Sequence, residues 1–213
     1  MRIIEPGYEI LTEISEGGIK ELQHIEKIGR VCYKSEDKIA EGGESAKKFV
    51  KMLIDRGHEA MIEHSSLSVK FTVDRGVSHE LVRHRIASFA QESTRYCNYS
   101  KDKFGKEITV IRPLFFKEGS DKDVAWTDAM ASAEHMYFEL LDLGATPQEA
   151  RSVLPNSTKT EITITANYRE WRNFFKLRTA KAAHPQMVQV TRPLLKELKT
   201  RLPIIFDDIE VEE

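Results

Sequence analysis

Two stretches of this chain alternate apolar and polar residues with period two. In the first, Leu67, Val69, Phe71 and Val73 interleave with Ser66, Ser68, Lys70 and Thr72. In the second, Lys159 to Tyr168, Ile162, Ile164 and Ala166 alternate with threonines. Period two puts one set of side chains on each face of a strand, so both runs read as half-buried strands. Long segments with helical spacing surround them. Ile19, Leu22, Ile25, Ile28 and Val31 recur about every third residue. Glu44 to Arg56 carries Phe49, Val50, Leu53 and Ile54 on one stripe and stops at Gly57. A long helix is expected from Asp121 to Leu143, with Val124, Met130, Ala133, Met136, Tyr137, Leu140 and Leu141 facing inward. A short helix opens at Thr146-Pro147, Arg169 to Thr179 forms another, and Pro185 opens a last one running to Arg201. Cys97 to Lys106 reads as a polar loop, and the acidic tail from Asp207 to Glu213 is expected to fray. Helices interleaved with a few half-buried strands give an α+β domain.

At 213 residues the chain suits one domain over 1–213 and can bury a substantial core. Its net charge of −2 argues against a protein that holds nucleic acid by bulk electrostatics, so an anion site must be a local cluster. Cys32 and Cys97 are too few for a disulfide framework. No apolar run reaches the roughly 18 residues of a membrane span, and Met1 to Gly7 lacks the apolar core of a signal peptide. The expectation is a cytoplasmic, soluble protein with neither membrane nor nucleic-acid partners.

The densest chemistry lies in Arg83-His84-Arg85-Ile86-Ala87-Ser88-Phe89-Ala90-Gln91-Glu92-Ser93-Thr94-Arg95-Tyr96. Asp74-Arg75-Gly76 reads as a turn and Val77 to Arg85 as a helix. On a helix, Arg83, His84 and Arg85 rotate by about 100° each, so they cannot share one solvated face. Some of them must meet protein or ligand. The polar stretch that follows keeps Ile86, Phe89 and Tyr96 as apolar anchors, a mixture suited to a planar anion. His79 with Arg83, and Glu80 with His84, stand one turn apart, as in routine surface pairs.

A metal site is not supported. His58 and His64 stand six apart, about 240° around a helix, and cannot chelate together. As nucleophiles, Cys97 has no activating helix terminus in the pattern and Ser93 no paired base. A hydrolase or phosphatase would need one of these features. A nucleotide- or RNA-binding module without catalysis would use Arg83, Arg85 and Arg95 with Tyr96 and Tyr99 as stacking platforms, against an acidic overall balance.

The spacing Arg-His-Arg, seven residues, Ser, one residue, Arg resembles the signature of the flavin-dependent thymidylate synthases. Other segments agree in order: Gly57-His58; Ala150-Arg151-Ser152-Val153-Leu154-Pro155; and Asn167, Arg169, Asn173 with Leu177-Arg178. The resemblance covers roughly residues 20 to 205. It implies the thymidylate-synthase-complementing-protein fold, a central mostly antiparallel sheet flanked by long helices. It implies reductive methylation of dUMP to dTMP, with 5,10-methylenetetrahydrofolate as carbon donor and NADPH as reductant through FAD. A homotetramer with sites shared between subunits is also implied.

Carried over position by position, the resemblance gives Arg178 the catalytic role at the pyrimidine edge. It gives dUMP contacts to Glu80, Leu81, Val82, Arg83, Gln91, Glu92, Ser93, Thr94, Arg95 and Arg151, besides Arg178. It gives flavin contacts to His58, Ala60, Arg83, His84, Arg85, Gln91, Asn167, Tyr168, Arg169 and Asn173. Ala60 stands where relatives often have a hydroxyl, so only backbone contact is available there. The histidine that often follows the catalytic arginine by four residues is delayed here to His184, and that role is not transferred.

Overall fold

The computed structural model describes residues 1–101 and 105–211. Residues 102–104 of the polar loop expected from Cys97 to Lys106, and 212 and 213 of the acidic tail, lie outside the described residues. The strands are β1 (Arg2–Ile4), β2 (Gly7–Ile10), β3 (Ser66–Asp74), β4 (Ser88–Gln91), β5 (Thr109–Ile111) and β6 (Lys159–Asn167). The helices are α1 (Ile19–Tyr33), α2 (Glu44–Asp55), α3 (Arg75–Leu81), α4 (Asp121–Asp142), α5 (Pro147–Ala150), α6 (Tyr168–Arg178), α7 (Pro185–Arg201) and α8 (Pro203–Phe206). By internal contacts the chain divides into two compact units. The first comprises Met1–Gly7, Phe71–Arg83 and Phe89–Thr163; the second comprises Tyr8–Lys70, His84–Ser88 and Ile164–Glu213.

The two alternating runs are neighbours in a sheet of order β2-β3-β6-β4, and each contributes residues to both units. They are antiparallel. Arg75 N–H donates to the Thr158 carbonyl (3.1 Å) at one end, and Tyr168 N–H donates to the Ser65 carbonyl (3.0 Å) at the other. The alternation sorts as expected, with Leu67, Val69, Phe71, Val73, Ile162, Ile164 and Ala166 all buried. Each full burial contributes about 1.5–3 kcal/mol, so a register slip of one residue would forfeit most of it.

In the first unit β1 lies parallel to β5 in a separate two-stranded sheet. Tyr99, Ile108, Val110, Met130, Tyr137 and Ala150 form its buried cluster. In the second unit the core gathers Leu22, Ile25, Phe49, Val50 and Leu53 from α1 and α2. Trp171, Phe174 and Phe175 from α6 and Leu194, Leu195 and Leu198 from α7 are buried as well.

Four expectations change. The helix expected from Val77 to Arg85 instead begins at Arg75 and ends at Leu81. Asp74 Oδ1 accepts from Val77 N–H (2.8 Å), an N-cap at the very end of β3, so the residues read as a turn are the first turn of the helix. At the far end Arg83 N–H closes a tighter turn onto the Glu80 carbonyl (3.2 Å), so His84 and Arg85 lie beyond the helix. Second, Ser88 to Gln91 forms the short edge strand β4, which four residues of weak alternation do not announce. Third, Val124 (52% exposed) and Met136 (40%) do not face inward; Met130 and Tyr137, two turns apart, carry the buried stripe of α4. Fourth, the tail from Asp207, expected to fray, is held at Asp208 by Arg172 and at Ile209 by burial. Among the described residues, no helix is long and apolar enough to cross a membrane.

Candidate functional site

In the second unit, α6 is the element that arranges polar side chains. Asn167 ends β6 and caps the helix, its Oδ1 accepting from Glu170 N–H at 2.8 Å. The apolar side of α6 is fixed by Trp171, whose indole N–H donates to the Leu67 carbonyl (2.9 Å). Arg172, also buried, closes its fork on Asp208 (2.6 and 2.7 Å) and donates to Glu59 (3.0 Å). Burial alone would lower the Arg172 pKa, but the Asp208 and Glu59 carboxylates outweigh it and raise it. With one side so anchored, Arg169, Glu170, Asn173 and Lys176 follow one another at helical spacing into an open cavity of about 520 Å³. Glu59, Glu63, Ile86 and Asn167 complete its lining. Arg169 donates to Glu63 and lies 3.8 Å from Glu59.

His84, which lies beyond α3, joins the two ends of the same helix in a chain of contacts, from Arg178 at its last position to Glu170 in its first turn. Arg178 Nε donates to His84 Nε2 (3.0 Å), and His84 Nδ1 lies 3.0 Å from Glu170 Oε1. The imidazole packs edge-on against Phe174, with ring centroids 4.8 Å apart. An arginine Nε can only donate, so His84 Nε2 must carry its lone pair. The proton of a neutral ring then sits on Nδ1 and is donated to Glu170. Burial lowers the His84 pKa, as does the Arg178 charge; the Glu170 carboxylate works in the opposite direction without reversing the shift. The backbone is held as well: Thr191 Oγ1 donates to the Arg178 carbonyl (2.8 Å) and Arg192 Nε to that of Thr179 (3.1 Å).

The first unit holds a different set. Gln91 at the end of β4 donates through Nε2 to Ser78 Oγ (2.9 Å) and Thr160 Oγ1 (3.2 Å). Glu92 accepts from Lys159 (2.9 Å) and from the Tyr99 hydroxyl (3.2 Å). Burial, then the Glu92 charge, push the Tyr99 phenol up. Ser93 takes the Tyr96 and Cys97 N–H groups on its carbonyl, and its Oγ accepts from Arg95 N–H (3.3 Å). Arg95 Nε reaches Gln148 (2.8 Å), and Arg151 Nη1 stands 3.4 Å from the hydroxyl of buried Thr94. Thr146 and Glu149 cap α5 reciprocally, which sets the helical frame just before Arg151.

The residues selected from sequence therefore divide between the units. Glu80, Leu81, Val82, Arg83, Gln91, Glu92, Ser93, Thr94, Arg95 and Arg151 lie in the first; His58, Ala60, His84, Arg85, Asn167, Tyr168, Arg169, Asn173 and Arg178 lie in the second. Asn167, Arg169 and Asn173 meet in one cavity, and His84 meets Arg178. His58 and Ala60 are not in that lining; His58 Nδ1 instead lies 3.3 Å from the Tyr33 hydroxyl. The side chains of Leu81 and Tyr168 are buried in the core, leaving their backbones as the groups able to meet a ligand. The carboxylate at His84 Nδ1 is Glu170, and α3 ends before His84, so the helical one-turn pairing expected of Glu80 with His84 does not form. Glu170 and Lys176 line the cavity without belonging to any of the motifs that the sequence displays. Glu170, three residues after the capping Asn167, follows an ordinary helix-start pattern that gives no hint of its distant partner.

Residues 19–204 match the family described as thymidylate synthase complementing protein. A relative from Corynebacterium aurimucosum named flavin-dependent thymidylate synthase is 34% identical over 215 residues, covering 93% of this chain and 84% of its own. One of the same name from Mycobacterium bovis is 32% identical over 203 residues, covering 88% and 79%. The solved UMP/dUMP methylase PolB from Streptomyces cacaoi, bound with 5-Br dUMP, superposes with a TM-score of 0.78 at 22% identity, over 97% of this chain and 96% of that one. That likeness shows the fold. The signature around Arg83, the α+β architecture and these relatives converge: the chain belongs to the flavin-dependent thymidylate synthase family.

Proposed function

We propose that this enzyme reductively methylates dUMP to dTMP, with 5,10-methylenetetrahydrofolate as carbon donor and NADPH as reductant through FAD. The observation that carries the reading is Arg178, a permanent cation whose Nε is fixed on a neutral, buried histidine. Pyrimidine C5 is a weak nucleophile until negative charge builds over N3, C4 and O4. A guanidinium held at that edge favours the charged form, most strongly where water is excluded. Arginine keeps its charge at every accessible pH, so the effect needs no proton to be in place first.

The cavity on α6 fits a flavin in its donor set. Asn167 and Asn173 offer amides of the kind that match a ring edge bearing both donors and acceptors. Lys176 offers a cation for a diphosphate, Arg169, paired with Glu63, presents its remaining N–H groups, and Ile86, 69% exposed, offers an apolar surface. His84, Arg85, His58, Ala60, Arg83, Gln91 and Tyr168 are the further flavin contacts proposed by family position. A bound flavin supplies the electron pair that completes reduction of the transferred carbon.

On the nucleotide side, Arg95 and Arg151 are assigned to the phosphate, because forked donors suit its oxygens. Ser93 and Thr94 stand beside them, while Glu80, Leu81, Val82, Arg83, Gln91 and Glu92 supply the remaining dUMP contacts. Assembly as a homotetramer is part of the proposal, and sedimentation of the purified protein tests it.

The decisive assay is dTMP formation from dUMP, 5,10-methylenetetrahydrofolate and NADPH, run anaerobically with and without FAD. Product that requires FAD is expected. Bound flavin without product would overturn the assignment.

A further inference from the structure

We infer that Glu170 is a positioning residue for Arg178, acting through the tautomer of His84: it holds the Nδ1 proton, leaving Nε2 free to accept from the arginine. The inference rests on the pyrimidine-edge role proposed for Arg178. Its geometry is independent of that role.

Glu170 and His84 are both more than nine-tenths buried. A neutral imidazole in such a place has two tautomers, and only the Nδ1–H form presents an acceptor to Arg178. With 3.0 Å contacts on both ring nitrogens, the carboxylate on one side selects the form that the guanidinium on the other requires. Holding Nε fixes the plane of the guanidinium, and the Thr191 contact fixes the backbone beneath it. Asn173 Nδ2 adds a donor to Glu170 at 3.3–3.4 Å, and Asn167 caps its backbone. The carboxylate is thus held from behind by the same residues that line the cavity. Orientation of a reacting group matters steeply, since a displacement of about 1 Å can cost on the order of 100-fold in rate.

Protonating His84 would put a proton on Nε2, remove the acceptor and set a positive charge beside Arg178. The charged groups that act on the ring are Glu170 and Arg178, both from α6. Glu170 favours the protonated ring and Arg178 opposes it. An isosteric, uncharged Glu170→Gln keeps an acceptor for the Nδ1 proton while removing that favourable charge, so His84 should protonate only at lower pH.

The test combines spectroscopy with kinetics on the flavin-loaded protein. With ¹⁵N-labelled histidine at neutral pH, His84 should show a protonated Nδ1 and an unprotonated Nε2. Glu170→Ala should lose that single state. Its kcat at saturating flavin should fall on the order of 100-fold, with the KM for dUMP little changed. Glu170→Gln should recover most of the lost rate and move the acid limb of the kcat profile to lower pH. A wild-type signal with the proton on Nε2, or an acid limb unmoved in Glu170→Gln, overturns the inference even if Glu170→Ala fails to fold. Full turnover in Glu170→Ala while Arg178→Ala is inactive overturns the relay and leaves the role of Arg178 standing. Full turnover in Arg178→Ala overturns both.

Discussion

Arg172 and Arg178 in the second unit are immobilised: one closes its fork on Asp208 and Glu59, and the other is held through Nε by a buried histidine. Arg95 and Arg151 in the first unit are exposed and touch neutral oxygens, on Gln148 and Thr94. The same side chain thus serves two purposes. An arginine fixed by a carboxylate has already spent its charge on the fold, as Arg172 has. One resting on a neutral partner keeps its charge for an incoming anion, as suits a phosphate that arrives and leaves with every turnover. Arg178 is the intermediate case. Its Nε partner is a neutral ring, so that contact fixes the orientation of the guanidinium without pairing it with a carboxylate.

The sharpest way to break this comparison is Arg178→Ala. Loss of dTMP formation by about 10²–10³ is expected, the scale of removing one preorganised electrostatic donor, with flavin still bound by absorbance. If instead flavin is lost and residual turnover is near normal, Arg178 belongs with the structural arginines.

The next largest effect should fall on stability. Asp208→Ala leaves Arg172 buried with Glu59 as its remaining carboxylate. Breaking a buried pair costs about 3–5 kcal/mol; Asp208 is half exposed and one partner survives, so about 2 kcal/mol is expected, a fall in Tm of roughly 4–8 °C. Hydrogen bonding from Arg172 holds the Asp208 carboxyl below its usual range. Its contribution is therefore present above the unfolded pKa of about 3.9 and lost as pH falls through the lower folded value. Melting curves of variant and wild type should converge in acid; a constant gap would remove Asp208 from the account.

Arg151→Ala should raise the KM for dUMP by roughly 10–100-fold, the worth of a hydrogen bond to a charged group, with flavin binding unchanged. A fall in flavin affinity would show that the two sets of residues do not divide the ligands as proposed. The smallest effect is expected for Ser93→Ala, a KM increase of a few-fold at about 1 kcal/mol, with turnover retained at saturating dUMP. Abolished turnover there would make Ser93 a participant in the chemistry.

Much of this was legible in the sequence, for reasons that vary by residue. The period-two runs of β3 and β6 announce themselves because one face of each strand is buried, α2 shows its apolar stripe and glycine stop, and α7 its opening proline. The α3 boundary is hidden because Asp74-Arg75-Gly76 has turn composition, while its aspartate acts as a cap. The motif arginines stand out by spacing. Glu170 does not, since its partner His84 lies 86 positions away and no local pattern encodes that contact. Nor does composition tell a committed arginine from an uncommitted one; Arg172 and Arg178 differ only in what the fold sets beside them.

Because α6 carries both Asn167 at its cap and Arg178 at its last position, it works as a ruler. The helix spans 11 residues, about 16 Å at 1.5 Å each, and turns about 100° per residue. A single codon inserted after Lys176 would lengthen the ruler slightly but swing Arg178 away from His84 while the cavity residues stayed in place. Substitutions can be absorbed along this helix, whereas changes in length cannot. Length variation is more readily accommodated after the ruler ends, between Thr179 and His184, where the chain leaves the helix before α7 begins.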